Sequence, residues 1–188
     1  MIWPAPVTLT GRHTTLVPLS QAHASALADA ATLLGDLWYT YIPTAGGMAA
    51  EIDRRINEPN MTPFTVTTPD GTPVGMTTFM NCDSGNKRVE IGSTWVSPAV
   101  QRSALNTEAK LLLLTHAFEA LDCIAVEFRT HRLNQQSRRA IERLGAQLDG
   151  ILRAHMVSPN GTIRDTAVYS ITAADWPVTK VHLQAKLS

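Results

Sequence analysis

Two hydrophobic rhythms alternate along this chain of 188 residues. Segments at 14–18, 62–68, 74–81, 88–96, 124–130, 148–157 and 163–172 read as strands, bounded by turn residues. Helical spacing recurs from Ser20 to about Leu34, from Met48 to Asn57, from near Glu108 to Leu121, from Asn134 to Gly145, and through a tail at 173–187. The boundaries carry chemical signals. Ser20 and Asn134 have side chains that accept a hydrogen bond from a free first-turn amide. Pro59 stops the second helix, Gly145 the fourth, and Pro177 falls in the first turn of the tail. Pro69-Asp70-Gly71-Thr72, Asp83-Ser84-Gly85-Asn86 and Asn160-Gly161 mark tight turns, because Asp, Asn and Gly tolerate the dihedrals such turns need.

The order is therefore β-α-α-β-β-β-α-β-α-β-β-α. Antiparallel strands come first, then a strand-helix-strand unit, then a hairpin. A helix joining two parallel strands crosses over right-handed. This predicts an α/β fold of the mixed kind: a mostly antiparallel sheet with one parallel crossover pair and helices on both faces. With no linker, repeat or low-complexity stretch, residues 1–188 are expected to form a single domain.

Composition narrows the function classes. A hydrophobic fraction of 44% supplies a core. The 16 basic and 16 acidic residues cancel, so no net field favours nucleic acid or an anionic membrane as partner. Cys82 and Cys123 lie far apart and match no metal spacing, which fits reduced thiols in a cytoplasm. The six histidines form no zinc pattern, so no metal is expected. The start, MIWPAPVTL, lacks the basic and apolar regions of a signal peptide, and no apolar run is long enough to span a bilayer. The expected location is cytoplasmic.

The stretch VSPAVQRSALNTEAK, residues 96–110, carries the chemistry. Strand, polar bend, helix is the layout of an anion site at a helix N-terminus. This bend holds no glycine. Four pieces in order then resemble the GNAT superfamily of acyl-CoA-dependent acetyltransferases, and within it the RimJ/RimL type. They are VEIGSTWV, QRSALNTEAKLLLLTHAFE, LNQQSRRAIERLGA and VSPNGTIRDTAVYSI, spanning roughly residues 12–172.

The resemblance implies acetyl-CoA as co-substrate. Its pyrophosphate would rest on the backbone amides of Arg102, Ser103, Ala104, Leu105, Asn106 and Thr107, after Gln101, with Arg102 adding a positive charge. Ala104 stands where the family has its first loop glycine, and Asn106 where it has glycine or alanine. A backbone amide near Val96 would polarise the thioester carbonyl. Glu90 is the candidate base for the attacking amine; the alternative is a surface glutamate paired with Lys87 or Arg88, and Glu127 is a weaker rival. Asn134 would reach the pantetheine arm as well as cap its helix. Ser137 would donate to the leaving thiolate or stand as an ordinary first-turn serine. Trp38 and Tyr41, with Tyr39 between them, would line the acceptor cleft, while Trp95 packs beside the cofactor strand.

The implied activity is direct attack of a primary amine on acetyl-CoA in a ternary complex. The acceptor is a protein N-terminus or a small-molecule amine, and the assembly a monomer or homodimer. A non-catalytic acyl-CoA sensor on a degenerate version of the fold is the alternative that the glycine-free bend leaves open.

Overall fold

The computed structural model describes residues 3–32, 34–35, 38–40 and 42–188. Among these described residues, eight strands form one sheet: β1 (Leu9–Thr10), β2 (Thr15–Pro18), β3 (Thr62–Thr67), β4 (Pro73–Asp83), β5 (Arg88–Val96), β6 (Ala125–His131), β7 (Gln147–Val157) and β8 (Ile163–Thr172). Their spatial order is β1-β2-β3-β4-β5-β6-β8-β7, antiparallel throughout except for β5 and β6. The expected mixed sheet with one parallel pair is present. The two-residue β1 is an addition, too short to leave a period in the sequence.

The helices are α1 (Ala24–Ala31), α2 (Met48–Asn57), α3 (Ala104–Thr115), α4 (Gln135–Glu142) and α5 (Trp176–Ala185). Two boundaries correct the sequence reading. Ser20 makes no side-chain cap; a 3-10 turn at Gln21–His23 precedes α1, which ends at Ala31 and not near Leu34. The second correction is larger. The helix expected from Glu108 starts at Ala104, with Ser103 as its cap: Ser103 Oγ accepts from Leu105 N at 3.3 Å. At its far end α3 runs on through a π-helical turn, His116–Ala120. The turns fall where their residues place them. Gly71 (φ 87) and Gly161 (φ 82) occupy the left-handed positions of their hairpins, and Gly145 (φ 102) ends α4.

Buried apolar residues separate by face. Leu105, Leu113 and Leu114 of α3, Ile141 of α4 and Leu183 of α5 pack with Val89, Ile91, Val126 and Phe128 of the central strands. Leu27 of α1 and Met48 and Ile52 of α2 pack with Met76 and Trp95. Trp95 therefore packs on the second face. Side chains alternate along a strand, so Glu90, between Val89 and Ile91, points to the α1–α2 face.

One structural staple fixes the start of α3. The buried Glu108 carboxylate accepts the backbone amides of Arg12 (2.9 Å), His13 (2.5 Å) and Thr14 (2.9 Å). A Cβ on Gly11 would collide with Glu108 Oε2, so this turn requires glycine. Among the described residues, no helix is long and apolar enough to cross a membrane.

Candidate active site

The parallel pairing between β5 and β6 is brief. Arg88, Val89 and Glu90 sit opposite Ala125, Val126 and Glu127, and there it stops. Both strands continue, β5 to Val96 and β6 to His131, but they part. The cause is on the other side of β5: its register against β4 shifts between Met76 and Thr78, and Ser93 opposite that shift has φ 49. A bulge of this kind bends its strand. The result is a cleft of about 540 Å³ that opens between the strands and reaches both faces of the sheet.

Glu90 is the last paired residue before the cleft and lines it. Only 5% of it is exposed. Asn81 Nδ2 donates to its Oε2 at 2.7 Å, and Arg129 Nε stands 3.5 Å from the same oxygen. Burial pushes the carboxyl above its ordinary value, since desolvation penalises the charged form; the Asn81 bond and the Arg129 charge pull the other way. Gly92 gives this side chain its room: a Cβ there would meet Met80 Sδ at 2.5 Å and Glu90 Oε1 at 3.0 Å. The pairings considered for a surface glutamate are taken up elsewhere, Lys87 by Asp122 and Arg88 by Glu127. Glu127 is held between Arg88 and Arg129 and does not line the cleft.

On the α3–α4 face, Asn134, Ser137 and Asn106 border the same cleft. Asn134 Oδ1 accepts from Ser137 N at 3.0 Å, the expected cap. Its Nδ2 donates to no described residue and is free for a ligand carbonyl. The expected phosphate cradle is redrawn by the early start of α3. Ala104 is its first residue, so the unsatisfied first-turn amides are those of Ala104 and Asn106, with Leu105 N taken by the Ser103 cap. Thr107, fourth in the helix, is the first whose amide finds an intrahelical carbonyl, and its hydroxyl lies 3.4 Å from Arg143 Nη2. The left-handed residue of the bend is Arg102 (φ 59), exposed, and not Ala104. Gln101 turns its side chain back, donating to Val96 O at 3.1 Å, and Ser97 N donates to Val74 O at 2.8 Å. Leu105 is buried in the core. Among these, only Asn106 borders the cleft itself.

On the acceptor side the aromatic expectation changes. Trp38 is half-exposed and lines a separate cavity of about 360 Å³ beside His131 and Arg132. Its ring meets those of Tyr39 and His131 edge-on, at 5.3 Å and 5.2 Å. Tyr39 lines the main cleft. Tyr41 lies outside the described residues.

Lys110, Arg55 and Arg164 are among the cleft residues that gave no signal in the sequence. Lys110 is buried; its Nζ donates to Thr94 Oγ1 at 2.8 Å and Thr77 Oγ1 at 3.3 Å, with no carboxylate partner among the described residues. Burial brings its pKa down to about 7. Arg55 is buried with Glu51 at 2.6 Å and reaches Ser93 O at 3.0 Å, bracing the bulge from the α2 side. Arg164 of β8 enters the cleft from the far edge. No group of three or more His, Cys, Asp or Glu among the described residues is placed to hold a metal.

An unzipped parallel pair, a helix N-terminus at its mouth and a buried carboxylate at its apex fit a thioester on an extended polar arm ending in phosphates. The profile of the acetyltransferase (GNAT) domain matches residues 13–147, and the chain belongs to that family. The family defines the class: acetyl-CoA-dependent N-acetyltransferases. YdaF of Bacillus subtilis (strain 168), a ribosomal N-acetyltransferase by assignment, is 32% identical over 107 residues, a match spanning 57% of this chain and 57% of YdaF. A GCN5-related N-acetyltransferase from Brucella melitensis has a crystal structure that superposes with TM-score 0.90 at 32% identity, covering 98% of this chain and 87% of that one. An acetyltransferase structure from T. thermophilus gives TM-score 0.87 at 32% identity, covering 99% and 100%. Mycobacterium smegmatis RimJ, solved with CoA-disulfide, shares the fold at 22% identity with TM-score 0.76, covering 98% and 95%.

Proposed function

We propose that this protein moves an acetyl group from acetyl-CoA to a primary amine, of a protein N-terminus or a small molecule, by direct attack in a ternary complex. The observation that carries the reading is Glu90: a carboxylate buried at the point where β5 and β6 part, with its pKa raised by that burial.

Acetyl-CoA, when bound, supplies an activated acyl carbon. The chain does the rest. The free amides of Ala104 and Asn106 and the charge of Arg102 hold the phosphates. Asn134 Nδ2 donates to the pantetheine arm from the α4 side. The backbone near Val96 orients the carbonyl. Glu90, facing the α1–α2 side, accepts the proton of the amine directly or through water, and Ser137 hydrogen-bonds to the departing sulfur. Holding both partners in one cleft supplies much of the rate by proximity. Tyr39, which lines the cleft, shapes the acceptor entrance.

The test is a thermal-shift panel followed by an amine panel. Acetyl-CoA and coenzyme A should raise the melting temperature, because a ligand of the native state stabilises it by mass action, while NAD and ATP should do much less. Equal shifts from all four ligands would defeat the reading. Tight acetyl-CoA binding with no turnover on any amine would favour the sensor alternative.

A further inference from the structure

Formal charge is unevenly placed. The chain as a whole is neutral, yet the cleft is lined by Arg54, Arg55, Lys110, Arg129 and Arg164 against Glu51 and Glu90. Most of these cations are committed. Arg54 and Arg55 share Glu51, and Arg129 sits between Glu127 and Glu90. Lys110 is turned to the α3 face, against Thr77 and Thr94. Arg164 differs. It lies on the same side of the cleft as Glu90, each feeling the other's charge, and it has no carboxylate within 4 Å among the described residues.

Its orientation is set. Arg164 Nε donates to Thr166 Oγ1 at 3.0 Å, and His155 Nδ1 is 3.1 Å from the same hydroxyl. Thr166 is buried, two residues along β8 and so on the same face. Arg164 Nη1 and Nη2 make no hydrogen bond to described residues. Asp165, on the opposite face, is engaged by Arg132 and Arg153 and does not compete. The cleft thus presents a half-buried guanidinium, steered by a fixed hydroxyl, with an imidazole beside it. A guanidinium fork matches a carboxylate with two parallel hydrogen bonds.

We propose that Arg164, assisted by His155, is an anion subsite of the acceptor cleft, and that the acceptor is an amine bearing a carboxylate. The inference rests on the reading of Glu90 as the group that receives the amine. Glu90 takes the amine end and Arg164 the carboxylate end of one molecule. The carboxylate belongs either to a free amino acid or to an acidic side chain near a peptide N-terminus. Polyamines and amines without an anionic group lack a partner for Arg164.

The experiment uses matched triplets: an amino acid, its amide and its decarboxylated amine, together with short C-terminally amidated peptides whose second residue is acidic or neutral. In the wild type, kcat/KM should favour the carboxylate-bearing member of each set by roughly tenfold or more. Arg164→Gln should erase most of that preference, a loss of roughly 10- to 100-fold specific to those acceptors and expressed mainly in KM. Arg164→Lys should retain part of it. Preference for the acidic peptides over free amino acids identifies the peptide as the source of the carboxylate. An equal loss for every acceptor, with the pH profile shifted alike for all, would show that Arg164 only balances Glu90, and would overturn the inference. So would a wild type that acetylates amides and plain amines as well as amino acids, which leaves the acetyltransferase reading intact. If no amine is turned over, the acetyltransferase reading fails, and binding still decides the subsite. N-acetyl amino acids must then raise the melting temperature more than N-acetyl amides do, and must lose that advantage in Arg164→Gln. Equal shifts would contradict the subsite.

Discussion

Asn81 Nδ2 donates to Glu90 Oε2 at 2.7 Å from a backbone held at φ 47. The register of β4 against β5 shifts between Met80 and Asp83, so Asn81 occupies a bulge that turns its side chain onto the carboxylate of the neighbouring strand. Asparagine tolerates the left-handed region better than most residues, which suits it to that place.

That bond favours the charged form of Glu90 and holds its raised pKa in check. Asn81→Gly keeps the positive φ free of strain and removes the donor. The acidic limb of the kcat/KM profile should therefore move to higher pH. A limb that stays in place would show that Asn81 does not tune the base. The same shift in Asn81→Ala would confirm that the lost donor is the cause.

Lys110 should cost the fold stability at neutral pH. Its pKa is about 7 in the folded protein, against an ordinary value of 10.5. Between those values the unfolded chain binds a proton that the folded chain has released. Stability attributable to this group therefore rises with pH across that window, by up to about 1.4 kcal/mol per unit, and is flat below and above it. Lys110→Met removes the term and leaves Thr77 and Thr94 bonded to each other at 2.8 Å. The variant should melt higher than the wild type at pH 7, with the advantage shrinking towards pH 10. Differential scanning calorimetry at both pH values checks this. A variant less stable at pH 7 would mean that the ammonium is retained by a partner that the geometry does not show.

The glycine-free bend makes two separable demands. Ala104 is helical and half-buried, so its side chain is tolerated where methyl groups beyond Cβ are not. Ala104→Val should weaken coenzyme A by an amount on the order of 1–3 kcal/mol through overpacking, with the fold intact. Ala104→Gly should change affinity little. Arg102 carries the positive φ, a conformation that costs a non-glycine residue about 1–2 kcal/mol. Arg102→Gly should leave the melting temperature unchanged or higher, yet bind coenzyme A more weakly because a charge is gone. Calorimetric titration reads both. Valine at 104 binding as well as alanine would remove the phosphates from this turn.

The element order was legible because each turn had a chemical cause: Asp70-Gly71 and Asn160-Gly161 in hairpins, Gly145 after α4, Asn134 at its start. The start of α3 was misplaced for a reason in the same sequence. Ser103 is a good cap, but Arg102 to Thr107 has no apolar period, and the polar run reads as loop. Glu90, Asn134 and Ser137 were legible only through their order along a family-like pattern. Lys110 and Arg164 were not. A lysine beside LLLL and an arginine on a hairpin read as solvated charges, and only the packing of β4, β5 and β6 around them makes them part of a site. The bulges at Asn81 and Ser93 left no trace either, since neither position is a glycine.

Glu90, in the proposed reaction, receives the proton of the acceptor amine. The direct measurement is kcat/KM for Glu90→Gln and wild type across pH on one acceptor. The variant should bind acetyl-CoA as the wild type does and lose roughly a hundredfold or more in turnover at neutral pH. The deficit should shrink at high pH, where the amine deprotonates unaided. A Glu90→Gln enzyme that turns over at the wild-type rate at neutral pH, or whose deficit is the same at every pH, would show that Glu90 is not the base.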